Sequence, residues 1–441
     1  MTWKTLDYTG WGRALRASGQ CARPERRRAL EALMATEPGP ALGQRRSYGD
    51  VCLNDGGRAV DMTRLDKILD FNAETGALRV DAGLRLSEIV RLMAPRGWLP
   101  PVLPGTGFAT VGGAIANDVH GKNHHKAGSF AQHVPALTLI TPGSSADGGG
   151  VHEITPDMPL FRASAGGLGQ TGIIAEAVLM LKPVKADIVT VTERRAEGFE
   201  RFLALLDGSE ATYCVGWIDA TATGAELGRG IIEEAETAAG LVPAPKPSKS
   251  VPIDAPGFAL APTIVRGFNT LYYRRVPAAG RTVVKPLRDF FFPLDRIHDW
   301  NRLYGKAGFH QFQCVVPLEA REALREMLRQ IARAGLASPL AVLKRMGPGR
   351  AGHLSFPMDG YTLAVDLRAR PEALKLIARL DEMTAEAGGR IYFAKDALAS
   401  AERVAAMYPE LDDWRALCDS VDPERRLVTD LVRRLNLRPA S

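Results

Sequence analysis

The last third of the chain switches between two hydrophobic periods. FHQFQCVVP (309–317) has the length and composition of a strand. Leu324, Met327, Leu328 and Ile331 then follow at helical spacing, and PLAVLKRM (339–346) reads as a second strand. The same order recurs as YTLAVDL (361–367), a helix through Leu376, Leu380 and Met383, and RIYFAKD (390–396). This repeated β-α-β pattern predicts an antiparallel sheet covered by two helices. Successive strand side chains point to opposite faces, so Gln311 and Gln313 share one side while Phe312, Cys314 and Val316 share the other. Thr362, Ala364 and Asp366 likewise stand opposite Leu363, Val365 and Leu367. Each strand therefore offers an apolar side to helices and a more polar side to either a ligand or solvent.

Nearer the N-terminus the predicted elements are shorter. Val60 to Thr63 and Leu78 to Asp81 read as strands, and Leu86, Ile89, Val90 and Met93 as the stripe of a helix ending before Gly97. Val134 to Thr141 and Ile173 to Leu181 read as two further strands. Between the helix and the first of these strands, Pro101 to Val134 carries Gly105, Gly107, Gly112, Gly113, Gly121 and Gly128 at intervals that fit neither period. Such glycines suit a backbone passing close to a large ligand. Thr106, Thr110, Asn117, His120 and Lys122 add hydrogen bonds and charge that fit a diphosphate.

Two standard nucleotide motifs are excluded. Gly121-Lys122 is followed by Asn123 and lacks the earlier glycine of a Walker loop. Gly167, Gly169 and Gly172 spell GxGxxG, but they lead into an apolar, β-branched run and open no helix of a βαβ unit. A second loop, Gly43 to Asp50 (GQRRSYGD), could also hold a dinucleotide by main chain and charge. The composition shifts after Lys182-Pro183, placing a domain boundary near residue 185. Ala238 to Pro262 has six prolines along with Lys246, Ser248 and Lys249, and reads as a long mobile loop, either lid or spacer.

Composition adds little to this picture and removes several classes. A chain of 441 residues with 46% hydrophobic content can bury two cores. The formal charge of +6 (pI ≈ 9.1) suits an anionic substrate and allows peripheral contact with an acidic membrane. Arg26 to Arg28 and Arg433-Arg434 are short runs without interleaved aromatics, which argues against nucleic acid. Cys21, Cys52, Cys214, Cys314 and Cys418 have no metal or disulfide spacing. The long uncharged run Gly97 to Asn117 holds three prolines and five glycines, unlike a membrane helix. No apolar leader opens the chain, so a cytoplasmic protein is expected.

The strings VLPGT, TVGGAIA, HGKNHH and AGSF resemble the flavin loop of FAD-linked oxidases of the vanillyl-alcohol oxidase (PCMH-type) superfamily. Within it they are most similar to the decaprenylphosphoryl-β-D-ribose 2'-oxidases. That resemblance implies an α+β, two-domain PCMH-type FAD-binding fold with an antiparallel-sheet substrate domain. The FAD domain would comprise residues 1–185 plus 391–441, and the substrate domain residues 186–390. Several relatives carry a flavin-linked histidine where this chain has Tyr48, so non-covalent FAD is implied. The cofactor contacts carried over are Arg46, Ser47, Tyr48, Gly49 and Asp50 in the first loop. In the second they are Gly105, Thr106, Thr110, Gly113, Asn117, His120, Gly121, Lys122, Asn123 and His124. Gly169, Thr171, Gly172, Ile174 and Tyr392 complete the set.

The implied reaction is oxidation of the 2'-hydroxyl of a polyprenylphosphoryl-β-D-ribose to the keto sugar. A partner short-chain reductase would then complete epimerisation to the arabinose form used in cell-wall synthesis. The resemblance places Trp217, Gln311, Gln313, Lys344, Thr362, Ala364 and Lys395 around the substrate. Lys395 is the first candidate for the proton acceptor or for stabilising reduced flavin, with His120 second and Tyr392 beside them. His120 and His124 have the spacing of a metal pair but lack its acidic partner, so no catalytic metal is expected. Ala364 replaces a cysteine of the mycobacterial type, and Phe291 replaces a tyrosine; both bear on substrate choice. A soluble alditol or aldonolactone oxidase, and a non-catalytic flavin-binding subunit, remain alternatives.

Overall fold

The computed structural model describes residues 2–142, 150–185, 188–244 and 247–439. Its largest element is an eight-stranded antiparallel sheet. Side by side run Arg281–Pro286, Ile188–Ala196, Gly230–Ala238, Tyr213–Ile218, Ala337–Met346, Gly360–Arg368, Phe309–Pro317 and Arg390–Ile391. Phe312, Cys314, Val316, Leu363, Val365 and Leu367 pack one face of this sheet into a core with Leu324, Met327, Leu328 and Ile331. Side chains of this size contribute about 1.5–3 kcal/mol each on full burial, so the alternation read from sequence fixes which face is covered.

Three helices cover that face where two were expected. Phe199–Asp207 joins Arg321–Ala334 and Pro371–Glu386, inserting Phe202, Leu203 and Leu206 into the same core. The expected strand RIYFAKD is also shorter, pairing only at Arg390–Ile391. After Tyr392 N donates to Gln313 O (3.0 Å), the chain turns, and Lys395 N and Asp396 N bond back to Tyr392 O (2.9 and 3.0 Å). Asp396 causes the exit: its carboxylate accepts from Leu398 N and Ala399 N and pairs with Arg434 at 2.7 Å.

The N-terminal part forms a four-stranded sheet (Lys4–Thr9, Arg16–Ala22, Arg58–Asp61, Ala41–Leu42) and a five-stranded antiparallel one. The latter runs Ile68–Phe71, Ala77–Asp81, Ile173–Met180, Ala136–Ile140, Val151–Ile154. Between Ala77–Asp81 and Ala136–Ile140 the glycine segment is partly helical, although its glycine spacing fits neither period. Val111–Ala116 is a helix because Thr110 caps it, its Oγ1 accepting from Gly113 N at 3.2 Å. Gly112 is small for packing: a Cβ there would lie 3.0 Å from Ala82 Cβ.

The proline-rich stretch is not free coil where it is described. Lys249–Ser250 pairs in parallel with Ile297–His298, Ala255 N donates to Arg302 O (2.9 Å), and Asp254 holds Arg13 at 2.5 Å. Pro245 and Lys246 lie outside the described residues, as do 186 and 187 beside the expected boundary. The C-terminal helices return to the first part of the chain: Arg434 pairs with Asp50 at 2.7 Å, and Gln170 Nε2 donates to Leu427 O at 2.7 Å. No helix among the described residues is long and apolar enough to cross a membrane.

Candidate active site

The uncovered face of the large sheet meets the two glycine-bearing loops across a cavity of about 860 Å³. That is near the upper end of cofactor sites, roughly 300–1,000 Å³. The sheet contributes Gln311, Gln313, Thr362 and Ala364, which period-two reading turned away from the helices, together with Trp217 and Lys344, which the resemblance placed at the site. Lys395 and Tyr392 enter from the turn at the sheet's edge.

Lys395 stands among the cavity's charged groups. Its Nζ lies 3.3 Å from the centroid of the Tyr48 ring, a contact that suits the cationic form. Burial nevertheless lowers its pKa to about 7, with Asp366 opposing the shift and Lys344 adding to it. Asp366 is fully buried and is pushed up to about 6 by burial, although bonds from Gln311 Nε2 and Tyr304 Oη (2.9 Å) favour its charged form. Lys344 and Lys122 are both held at about 8, chiefly by burial; Lys122 also donates to Phe290 O. His120 stays neutral because burial and the charges of Lys344, His124 and Lys395 oppose protonation. Its Nε2 contacts Gln313 Nε2 at 3.2 Å, and Nδ1 is buried without a partner. A neutral imidazole keeps one acceptor nitrogen.

Most of the expected cofactor contacts line this cavity. Arg46, Ser47 and Tyr48 do so from the first loop, and Gly105, Thr106, Thr110, Gly113 and Asn117 from the second. His120, Gly121 and Lys122 follow, with Gly169, Gly172 and Ile174 from the third segment. Five expected contacts stand elsewhere. Gly49 is a packing glycine, since a Cβ would fall 1.6 Å from Asp396 O. Asp50 is taken up by Arg434, and Thr171 Oγ1 by Ser164 Oγ at 2.7 Å. Asn123 Nδ2 donates to Pro101 O (2.8 Å), and His124 Nδ1 accepts from Gly347 N (3.1 Å). The last two brace the loop from behind.

Several main-chain donors expected to meet a diphosphate are likewise engaged. Gly107 N donates to Asp295 (2.8 Å), Gly112 N to Ala82 O (2.7 Å) and Gly113 N to Thr110. Thr106 Oγ1 also donates to Asp295, at 2.8 Å. By contrast, the N–H groups of Gln44, Arg45, Arg46 and Ser47 have no protein acceptor among the described residues, and these residues line the cavity. Arg45 has φ +51°, the left-handed conformation that turns successive amides toward one point.

The residues fit FAD. Arg46 Nε, Asn117 Oδ1 and His120 Nδ1 are buried, line the cavity and lack protein partners. Gly105 and Gly169 have no atom within 4 Å of an added Cβ, so their backbones face open space. Sequence reasoning missed Trp11 and Phe108, whose rings lie 4.1 and 4.3 Å from the Arg46 guanidinium carbon. It also missed Tyr272, Arg275 and Lys285 at the cavity's far end, which come from a stretch without a motif. The lining has eight Lys and Arg (Arg45, Arg46, Lys122, Arg275, Lys285, Arg296, Lys344, Lys395) against Glu233, Asp289 and Asp295. It is built for anions.

Comparison with known proteins agrees. The FAD binding domain family matches residues 35–146, and the D-arabinono-1,4-lactone oxidase family matches residues 308–435. Decaprenylphosphoryl-β-D-ribose oxidase of Mycolicibacterium smegmatis is 38% identical over 414 residues, covering 90% of this chain and 89% of its own. An uncharacterized protein of Streptomyces coelicolor is 37% identical over 373 residues, covering 80% of this chain and 100% of its own. L-Gulono-1,4-lactone dehydrogenase of Mycobacterium tuberculosis is 23% identical over 406 residues, covering 90% and 89%. The chain therefore belongs to the PCMH-type family of FAD-linked oxidases that includes decaprenylphosphoryl-β-D-ribose oxidase, and it is an FAD-dependent oxidoreductase acting on CH–OH groups.

Proposed function

We propose that this enzyme oxidises the 2'-hydroxyl of a polyprenylphosphoryl-β-D-ribose to the keto sugar, with residues 1–185 and 391–441 holding FAD and residues 186–390 the substrate. The cationic cavity carries the reading, since it joins the nucleotide loops to the polar sheet face and has charge for a second phosphate beyond the cofactor's. FAD, when bound, supplies the hydride acceptor. The amides of Gln44 to Ser47 would hold its diphosphate, and Tyr48 would leave the flavin without a covalent link. Acid precipitation is expected to release all the yellow pigment into the supernatant, whereas pigment retained on the pellet would contradict this role of Tyr48.

Lys395 Nζ accepts the hydroxyl proton. Gln311, Gln313 and Thr362 orient the sugar hydroxyls, His120 accepts a hydrogen bond, and Lys122 and Lys344 hold the phosphate. An ammonium cannot accept a proton, so anaerobic flavin reduction should rise as pH passes through about 7, where Lys395 becomes neutral. Asp366 raises the Lys395 pKa. Asp366→Asn should therefore move the midpoint of that profile to lower pH; an unmoved midpoint would separate the two groups.

The deciding experiment compares anaerobic bleaching of the flavin by a polyprenylphosphoryl ribose and by free alditols or aldonolactones. Rapid bleaching by the first, with the 2'-keto sugar as product, is expected. Bleaching by the free polyols alone would establish the lactone-oxidase alternative, and bleaching by neither would leave a non-catalytic flavin protein. The keto product requires a reductase to reach the arabinose form, and a lipid-linked substrate requires the enzyme to work at a membrane surface.

A further inference from the structure

Exposed apolar side chains are concentrated in one stretch. Nine of the thirteen large hydrophobic residues exposed among the described residues lie between Leu241 and Leu303. Such concentration marks an interaction surface. Helix Pro262–Arg274 buries only Val265 and Asn269. On an adjoining face Ile264 (47% exposed), Phe268 (50%) and Leu271 (73%) form a stripe at i, i+4 and i+7. The segment leading into the helix adds Ile253 (72%) and Phe258 (69%).

Charge selects the occupant. Residues 249–306 hold ten Lys and Arg against four Asp and no Glu, a net +6 that equals the formal charge of the whole chain. Arg274 stands exposed on the helix about a sixth of a turn from Leu271, and Arg266 is exposed on its far side. A second copy would set like charge against like charge, even with Arg275, Arg281 and Lys285 offset by Glu193 and Glu233, and nucleic acid would not cover bare isoleucine and leucine. An apolar stripe flanked by basic residues is the pattern of a helix lying in the interface of an anionic bilayer. The same helix reaches the cavity: Tyr272 and Arg275 line it, and the Tyr272 ring packs on Trp217 at 4.7 Å between centroids.

We propose that helix Pro262–Arg274, with the segment bearing Ile253 and Phe258, docks on an anionic membrane surface and places the cavity mouth where a lipid-linked substrate enters. The nature of that substrate rests on the proposed reaction; the docking is tested without it. FAD-loaded protein is sedimented with phosphatidylcholine vesicles, with and without phosphatidylglycerol. Binding is expected to the anionic vesicles and to weaken with salt. The triple variant Phe258→Glu/Ile264→Glu/Leu271→Glu should lose it by about tenfold or more while keeping its flavin spectrum and melting temperature. Ile264→Leu/Leu271→Met, which keeps the stripe apolar, should still bind.

Failure of the parent protein to sediment, equal sedimentation of parent and triple variant, or indifference to phosphatidylglycerol would each overturn the proposal. So would light scattering that shows a dimer abolished by the triple variant, because a second copy would then cover the stripe. Flavin reduction by detergent-dispersed substrate is read separately. Vesicle binding without reduction removes the reaction and keeps the docking; reduction without vesicle binding does the reverse.

Discussion

Lys395→Ala is expected to bind FAD normally and to lose about 10³-fold in the rate of anaerobic flavin reduction, the range typical of a removed proton acceptor. The side chain lies 3.3 Å from the Tyr48 ring centroid, and burial, against the pull of Asp366, lowers its pKa to about 7, so that about half of it is neutral at that pH. No other lining group combines those properties. Lys344 and Lys122 remain cationic to about pH 8, and Lys122 is tied to Phe290 O. Alanine removes the acceptor yet leaves the amides of Gln44 to Ser47 and the Arg46 sandwich, so absorbance of bound flavin should persist. A structural role would predict lost pigment and a lowered melting temperature; a role at the reacting hydroxyl predicts partial rescue by added small primary amines. Reduction within tenfold of the parent rate would remove Lys395 from the chemistry and make His120 the acceptor.

The sheet face that carries this site was legible because period two is a local rule. Gln311 and Gln313 could be assigned to the side opposite Phe312 and Cys314 from the string alone, and the structure lines the cavity with them. Glycine spacing was less informative, since one residue type serves two ends. Gly105 and Gly169 face open cavity, while Gly49 and Gly112 are small because another part of the chain presses on them. Only tertiary contact separates these cases. Asp50, Asn123 and Thr171 pose the same difficulty, each a polar residue whose side chain is engaged by another part of the chain. The far end of the cavity was invisible because Tyr272, Arg275 and Lys285 form no local pattern. Lys285 is brought there by the antiparallel pairing of Arg281–Pro286 with Ile188–Ala196, Arg275 by its pair with Glu193, and Tyr272 by the Trp217 ring.

That assembly depends on one carboxylate, and Glu193→Ala is expected to destabilise the protein by roughly 3–5 kcal/mol, the cost of removing one partner of a buried charge cluster. Glu193 is fully buried on the strand Ile188–Ala196 and accepts from Arg281 Nε (2.7 Å), Arg275 Nη1 (2.9 Å) and Lys285 Nζ (3.4 Å). Lys285 and Arg275 also reach Glu233, at 2.9 and 3.6 Å, so two residues of the cluster keep a partner and, among the described residues, Arg281 does not. Burial alone would raise the Glu193 pKa, but bonds from Arg281 and Arg275 and the charge of Lys285 overcome it and hold the group at about 2, below its ordinary 4.5. A carboxylate depressed in the folded state stabilises fully above its unfolded pKa, and that contribution is lost as pH falls through the folded value. The parent protein should therefore lose stability between about pH 4.5 and about pH 2, while Glu193→Gln, matched in size, has no such contribution to lose. Urea midpoints at neutral pH should separate the two proteins clearly, and the gap should close toward the acid end. Arg275 and Lys285 line the cavity, so Glu193→Gln should also weaken substrate binding more than it slows flavin reduction at saturation. A variant as stable as the parent at pH 7, with unchanged substrate affinity, would mean that solvent already serves these cations and that the cavity's far end is held by the strand pairing alone.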